Sequence, residues 1–147
     1  MKIIDMDIIK ISDGIIAHQV NCRNRMKSGV AKALYIKYPL VKESYHKQCE
    51  LASPTSLLGE VFTVKVTDDL YVFNCFSQLN YGYDNARYTD YDAIRECFKE
   101  ISYLNDALYK KQVYIPYLYG CGLGNGKWNI VESIIDEVCS NVIACRI

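Results

Sequence analysis

Residues 119–128 read YGCGLGNGKW and join two patterned segments. The apolar run at 113–118 is typical of a buried strand, and Ile130, Ile134 and Val138 recur at helical spacing. Glycines at alternate positions from 120 to 126 remove side chains where this strand passes to the helix. Backbone N–H groups can then approach an anion beside the positive end of a helix dipole. Tight turns also require glycine, so the stretch alone favours a ligand loop and a simple turn equally.

A second strand–loop–helix unit lies near the beginning of the sequence. Residues 15–38 read IIAHQVNCRNRMKSGVAKALYIKY, an apolar strand, a polar turn and a helix that begins after Ser28. Val30, Leu34 and Tyr38 form an apolar stripe at positions i, i+4 and i+8. Two such loops facing each other would hold a diphosphate from both sides.

These segments together resemble the macro domains, a family that binds ADP-ribose. The matching pieces run in the family's order and cover nearly the whole chain: 6–8, 20–22, 28–31, Gln78 with 81–82, 89–94, and 120–123 with Trp128. The resemblance is nearest to the small branch with terminal ADP-ribose protein glycohydrolases and ADP-ribose 1″-phosphate phosphatases. It implies one macro domain over residues 1–147, with a three-layer α/β/α fold and a central mixed sheet of about six strands.

Composition agrees with one compact domain and argues against several classes of binding partner. The chain has 147 residues and a formal net charge of zero, so we expect no binding to duplex nucleic acid. Seven cysteines without a C-x-x-C pair indicate reduced thiols, with no metal site. Apolar runs are shorter than the roughly 20 residues of a membrane span, and the first residues lack a signal-peptide pattern. We therefore expect a cytoplasmic monomer with no membrane partner and no cofactor.

The predicted elements alternate between strands and helices, which indicates an α/β domain. Strands are predicted at 2–5, 15–20, 60–66, 70–76, 113–118 and 142–145, and helices at 29–38, 41–50, 91–108 and 129–140. Ligands of such sheets bind outside the carboxyl ends of the strands, where both glycine-containing loops would lie.

The resemblance implies a set of ligand-binding residues. Asp7 would accept a hydrogen bond from an adenine amino group; the less favoured alternative is a solvated turn aspartate or a cap. Asn21 would contact a ribose hydroxyl or tie its own turn. The basic run at Arg23, Arg25 and Lys27 is either solvated or meets a terminal phosphate. The remaining predicted ligand-binding residues are Ile8, Ser28, Gly29, Val30, Gln78, Tyr81, Gly120, Cys121, Gly122, Leu123 and Gly124.

Two residues are candidates for catalysis. His18 stands among apolar neighbours, which favours a core histidine hydrogen-bonded to backbone. It also matches a histidine that the phosphatase branch places beside the distal ribose, where an imidazole can relay a proton or attack phosphorus. Asp90 could orient water or cap the following helix, and Asp84 is a second carboxylate near the same place.

The branch that removes ADP-ribose from glutamate differs from this chain in its catalytic residues. That branch uses a lysine after the middle strand and an aspartate after the leucine of its second loop. The corresponding places here are near Ser77, Gln78 and Gly124. Three functions stay open: an ADP-ribose 1″-phosphate phosphatase, a non-catalytic module that binds ADP-ribose or a related NAD-derived signal, and a hydrolase of ADP-ribosyl groups on proteins.

Overall fold

The computed structural model describes residues 1–147, and its central feature is one six-stranded sheet. The strands are β1 (Lys2–Asp5), β2 (Gly14–Asn21), β3 (Val61–Lys65), β4 (Leu70–Gln78), β5 (Val113–Pro116) and β6 (Val142–Arg146). The helices are α1 (Gly29–Lys37), α2 (Leu40–Leu51), α3 (Pro54–Leu57), α4 (Tyr91–Leu104) and α5 (Trp128–Val138).

The strand order is β1-β6-β5-β2-β4-β3. The neighbouring strands β1-β6, β6-β5, β5-β2 and β2-β4 pair in parallel. The edge strand β3 pairs with β4 in the antiparallel direction. Residues 66–69 form a short turn between β3 and β4, in which the Val66 N–H donates to the Leu70 carbonyl oxygen (3.0 Å). The expected three-layer fold with a mixed sheet of about six strands is confirmed.

Two apolar cores lie on opposite faces of the sheet because side chains alternate along each strand. On β2, Ile15 and Ala17 pack in the core that includes α4 and α5. Ile16 and Val20 pack in the other core, which includes Leu34 of α1. The two faces of β2 are therefore both buried, which explains why its sequence reads as a continuous apolar run.

Element boundaries differ from the prediction in several places; the strand predicted at 113–118 ends at Pro116, and the one predicted at 70–76 extends to Gln78. The helix predicted at 91–108 ends at Leu104 and continues as one π-helical turn, which Lys110 closes in a left-handed conformation (φ 52°). The short helix α3 was not predicted; it begins after Ser53, whose hydroxyl accepts a hydrogen bond from the Ser56 N–H. A 3₁₀ turn at Ile8–Lys10 was also missed. No helix is both long and apolar enough to cross a bilayer.

Candidate functional site

A cavity of about 380 Å³ opens at the carboxyl ends of β2, β4 and β5. Its walls include loop 1 (residues 22–28), which joins β2 to α1, and loop 2 (residues 117–127), which joins β5 to α5. The third wall comes from the β4–α4 loop (residues 79–90). Both loops that the sequence singled out therefore face the same cavity.

The first residues of α1, which follow loop 1 and have no side-chain cap, lie at the cavity wall. Ser28 is extended (φ −144°), and its side chain makes no capping hydrogen bond. The N–H groups of residues 29–31 donate no hydrogen bond within the protein. Gly29 has φ +63°, and a Cβ atom added there would meet no atom within 4 Å. The positive end of α1 is thus open to a ligand.

Loop 1 is held in shape by a buried tyrosine of α2. The Tyr45 hydroxyl donates to the Asn21 carbonyl oxygen (2.7 Å) and accepts from the Arg25 N–H (3.0 Å). The Asn21 amide donates to the Arg25 carbonyl oxygen (2.7 Å), and its Oδ1 accepts from the Arg23 N–H (2.9 Å). Asn21 therefore ties the turn; it also lines the cavity, and its contact with a ribose hydroxyl stays a prediction.

Loop 2 presents a second group of free N–H donors. The N–H groups of residues 122–124 donate no hydrogen bond within the protein, while the Gly126 N–H donates to the Gly120 carbonyl oxygen (2.9 Å) and closes the turn. The cavity wall ends at residue 124, whereas α5 begins at Trp128. The donors therefore belong to the turn itself, and α5 begins four residues after the last of them.

The glycines of loop 2 have different roles. A Cβ atom on Gly122 would meet nothing within 4 Å, so this position is open toward the cavity. A Cβ atom on Gly124 would lie 2.3 Å from Thr89 Oγ1, and one on Gly126 would lie 2.8 Å from the Gly120 carbonyl oxygen. The aspartate of the glutamate-specific branch therefore has no room at position 124.

A polar network fixes loop 2 to the sheet. The Thr89 hydroxyl donates to the Gly120 carbonyl oxygen (2.5 Å) and accepts from the Gln19 amide (3.0 Å). The Ser77 hydroxyl donates to Gln19 Oε1 (2.8 Å) and pairs with the Tyr119 hydroxyl (2.7 Å). Sequence reasoning missed this network. Its signal was the polar side chains on two strands that are otherwise apolar.

His18 is buried against the cavity wall, with 1% of its surface exposed. Its Nε2 lies 2.7 Å from Asn74 Oδ1, so its partner is a side chain rather than the expected backbone. Its Nδ1 has no partner. Burial lowers the pKa of His18 to about 4, although the hydrogen bond with Asn74 acts in the opposite direction. The imidazole is therefore neutral near pH 7.

Several predicted residues lie elsewhere. The cavity wall does not include Asp7 and Ile8, and Asp7 accepts a hydrogen bond from the Ile9 N–H (3.2 Å). Asp90 lies outside this wall too, and its carboxylate caps α4 by accepting from the Ala93 N–H (2.9 Å). Both aspartates therefore act as caps, and the ligand contact predicted for Asp7 and the water-orienting role predicted for Asp90 stay predictions.

Charge at the cavity is positive. Arg25 and Lys27 line it, whereas no aspartate or glutamate does. Gln78 and Tyr81 line it as well, and the Arg25 guanidinium lies 5.4 Å from the centre of the Tyr81 ring. Burial raises the pKa of Cys121 to about 11, so this thiol in loop 2 is neutral and a poor nucleophile near pH 7.

Comparison with known proteins places this chain in a family. No family model matches the sequence. The chain is 32% identical over 130 residues to an uncharacterised 17.5 kDa protein from the tk–vs intergenic region of phage T4, covering 86% of this chain and 81% of that protein. It belongs to the same family as that protein. A protein of unknown function from Bacteroides thetaiotaomicron has a similar structure (TM-score 0.86, 30% identity, 99% of this chain and 97% of that one).

A macrodomain protein from Streptomyces coelicolor superposes with a TM-score of 0.80 at 20% identity, over 99% of this chain and 97% of that one. The protein has the macro domain fold. DarTG from Thermosipho africanus, solved in complex with ADP-ribose, is similar to this macro domain with a TM-score of 0.75 and 16% identity, over 92% of this chain and 38% of that one.

Proposed function

We propose that this macro domain binds ADP-ribose or a related NAD-derived nucleotide. The observation that carries the proposal is two sets of free N–H groups on the walls of one cavity, one at residues 29–31 of α1 and one at residues 122–124 of loop 2. A diphosphate between them would accept hydrogen bonds from both sides.

The electrostatic surroundings support an anionic ligand. Hydrogen bonds to charged groups contribute about 1.5–3 kcal/mol each, so amide donors on both loops would favour a diphosphate over a neutral ligand. Arg25 and Lys27 add positive charge, and no carboxylate on the wall opposes the ligand. The ADP-ribose complex of the similar Thermosipho africanus protein supports the same class of ligand.

The test is calorimetry with ADP-ribose on the wild type and on Gly122→Glu. Position 122 has open space for a Cβ atom, so the variant should fold, while its carboxylate would occupy and repel the diphosphate site. Ser140→Glu, an exposed position after α5, is the control for added charge. We expect loss of binding in Gly122→Glu alone, with thermal unfolding unchanged. Equal affinity in all three proteins would refute the proposal.

A second candidate is hydrolysis of ADP-ribose 1″-phosphate. It is supported by the two cations on the cavity wall, which suit an additional phosphate, and by His18, a residue of the same wall. Phosphate release should be measured with the wild type and His18→Ala. Release that this change abolishes supports the phosphatase. ADP-ribose binding without release leaves a binding module, and release of ADP-ribose from a modified protein would indicate a protein hydrolase instead.

A further inference from the structure

The β4–α4 loop, which forms the third wall of the cavity, is anchored by hydrogen bonds near both of its ends. Near its start, Arg23 Nε of loop 1 donates to Asn80 Oδ1 (2.7 Å). Near its end, the Tyr88 N–H donates to the Gly124 carbonyl oxygen of loop 2 (2.9 Å). Residues 81–87 lie between these two anchors and form the middle of the loop.

The middle of the loop contains the most exposed part of this wall. Tyr81 and Tyr83 line the cavity, and they are 39% and 75% exposed, so a ligand in the cavity can reach both. No backbone hydrogen bond joins residues 81–87 to another part of the chain. An exposed segment of this kind is easily displaced unless side chains hold it in place.

Asn125 of loop 2 supplies the hydrogen bonds that the middle of the loop otherwise lacks. Its Nδ2 donates to the Asp84 carbonyl oxygen (2.9 Å) and to the Ala86 carbonyl oxygen (2.7 Å). A side-chain amide has two N–H hydrogens, so both are used here. These two are the only hydrogen bonds that residues 81–87 make outside their own loop.

Asn125 is itself fixed in the turn that presents the free N–H groups of loop 2. Its backbone is left-handed (φ 59°), a conformation that asparagine tolerates better than most residues. Its N–H donates to the Gly122 carbonyl oxygen (3.0 Å). Asn125 does not line the cavity. It therefore joins two cavity walls from behind, where a ligand would not contact it.

We propose that Asn125 is a positioning residue, which holds the wall containing Tyr81 and Tyr83 against loop 2 so that both meet the bound nucleotide together. This inference rests on the proposed binding of an ADP-ribose-type ligand. Loop 2 would hold the diphosphate, and the two tyrosines would contact a part of the nucleotide beyond it. Without Asn125 this wall would have to be ordered when the ligand binds, and the affinity would fall by that cost.

The first experiment is calorimetry with ADP-ribose on Asn125→Gly and a matched control. Glycine removes both donors, accepts the left-handed backbone and adds no charge. Asn141→Gly is the control, because Asn141 is also left-handed (φ 60°) and exposed, and only its backbone carbonyl oxygen accepts a hydrogen bond. We expect roughly tenfold weaker binding in Asn125→Gly, toward the lower end of what two neutral hydrogen bonds supply, and wild-type affinity in the control. Unchanged affinity in Asn125→Gly, or the same loss in both variants, would overturn the inference.

Asn125→Asp separates the donors from the bulk of the side chain. Aspartate has nearly the same size and also tolerates the left-handed backbone, but its carboxylate only accepts and would face two carbonyl oxygens. We expect it to lose at least as much ADP-ribose affinity as Asn125→Gly. Wild-type affinity in Asn125→Asp would show that the side-chain volume is sufficient, and it would contradict the inference.

The second experiment follows backbone amide signals by NMR during the ADP-ribose titration. In the wild type, we expect the signals of residues 81–83 and of residues 122–124 to shift. In Asn125→Gly at saturation, residues 122–124 should shift as in the wild type, whereas residues 81–83 should shift less. Loss of both responses would mean that Asn125 maintains loop 2 itself, and it would overturn the inference.

A failure of the proposed function would be recognised separately. A wild type in which neither set of signals shifts does not bind ADP-ribose, and the proposed function is then refuted. The role of Asn125 can still be measured without ligand, because its side-chain amide hydrogens should exchange with solvent more slowly than those of Asn141. Equal exchange rates would contradict the two hydrogen bonds on which the inference depends.

Discussion

Acidification should destabilise this protein through His18 by an amount that the structure allows us to estimate. Burial lowers the pKa of His18 from 6.5 to about 4 in the folded protein. Each pKa unit corresponds to about 1.4 kcal/mol, so the pair of values represents about 3 kcal/mol as an upper limit. The unfolded chain binds the proton more readily than the folded protein does. The contribution of neutral His18 to the free energy of unfolding is therefore fully present above about pH 6.5, and it is lost as the pH falls toward about 4.

The assay is urea denaturation of the wild type and His18→Leu over this pH range. Carboxylates also titrate at the acidic end, but they are common to both proteins and cancel in the difference. We expect the wild type to lose about 3 kcal/mol of unfolding free energy relative to His18→Leu between about pH 7 and pH 4. His46→Gln, which removes the other histidine, is the control and should keep the wild-type decline. Parallel curves for the wild type and His18→Leu would refute a buried neutral imidazole.

Three further predictions concern the loops. Thr89→Val removes the hydroxyl that donates to the Gly120 carbonyl oxygen, and it should lower the urea-derived free energy of unfolding by about 1–3 kcal/mol and weaken ADP-ribose binding. Arg25→Met should weaken ADP-ribose binding about fivefold by calorimetry and reduce its salt dependence, whereas Arg23→Met, outside the cavity wall, should change neither. Cys121, with its pKa raised to about 11, should react slowly with iodoacetamide near pH 8 by mass spectrometry and more slowly with ADP-ribose bound; rapid labelling would contradict its burial.

The sequence predicted the fold well because its signals are local. The helical spacing from Val30 to Tyr38 involves residues that are close together in the chain. The three-layer fold then follows from the alternation of strands and helices. The glycines at 120–126 likewise marked loop 2. Their individual roles were not readable, because the atom that excludes a side chain at Gly124 belongs to Thr89, distant in sequence.

The supports of the site were missed for the same reason. Tyr45 holds loop 1 from α2, and Asn74 fixes the ring of His18 from a neighbouring strand. The sequence around a buried tyrosine or asparagine does not indicate which distant group that side chain will contact. Asp90 shows the converse, since its capping role depends on the adjacent helix and was foreseen as one of two alternatives.

The position of β6 has a consequence for the order in which the molecule assembles. β6 lies between β5 and β1, and Lys2 pairs with Ile143. β1 therefore cannot pair with its neighbour in the sheet until β6 has been synthesised. Until then the edge of β1 is unpaired, whereas β2 and β4, which both contribute residues to the cavity wall, can already pair. Closing so long a loop is costly in chain entropy, so docking of β1 and β6 should be the late and slow step of folding.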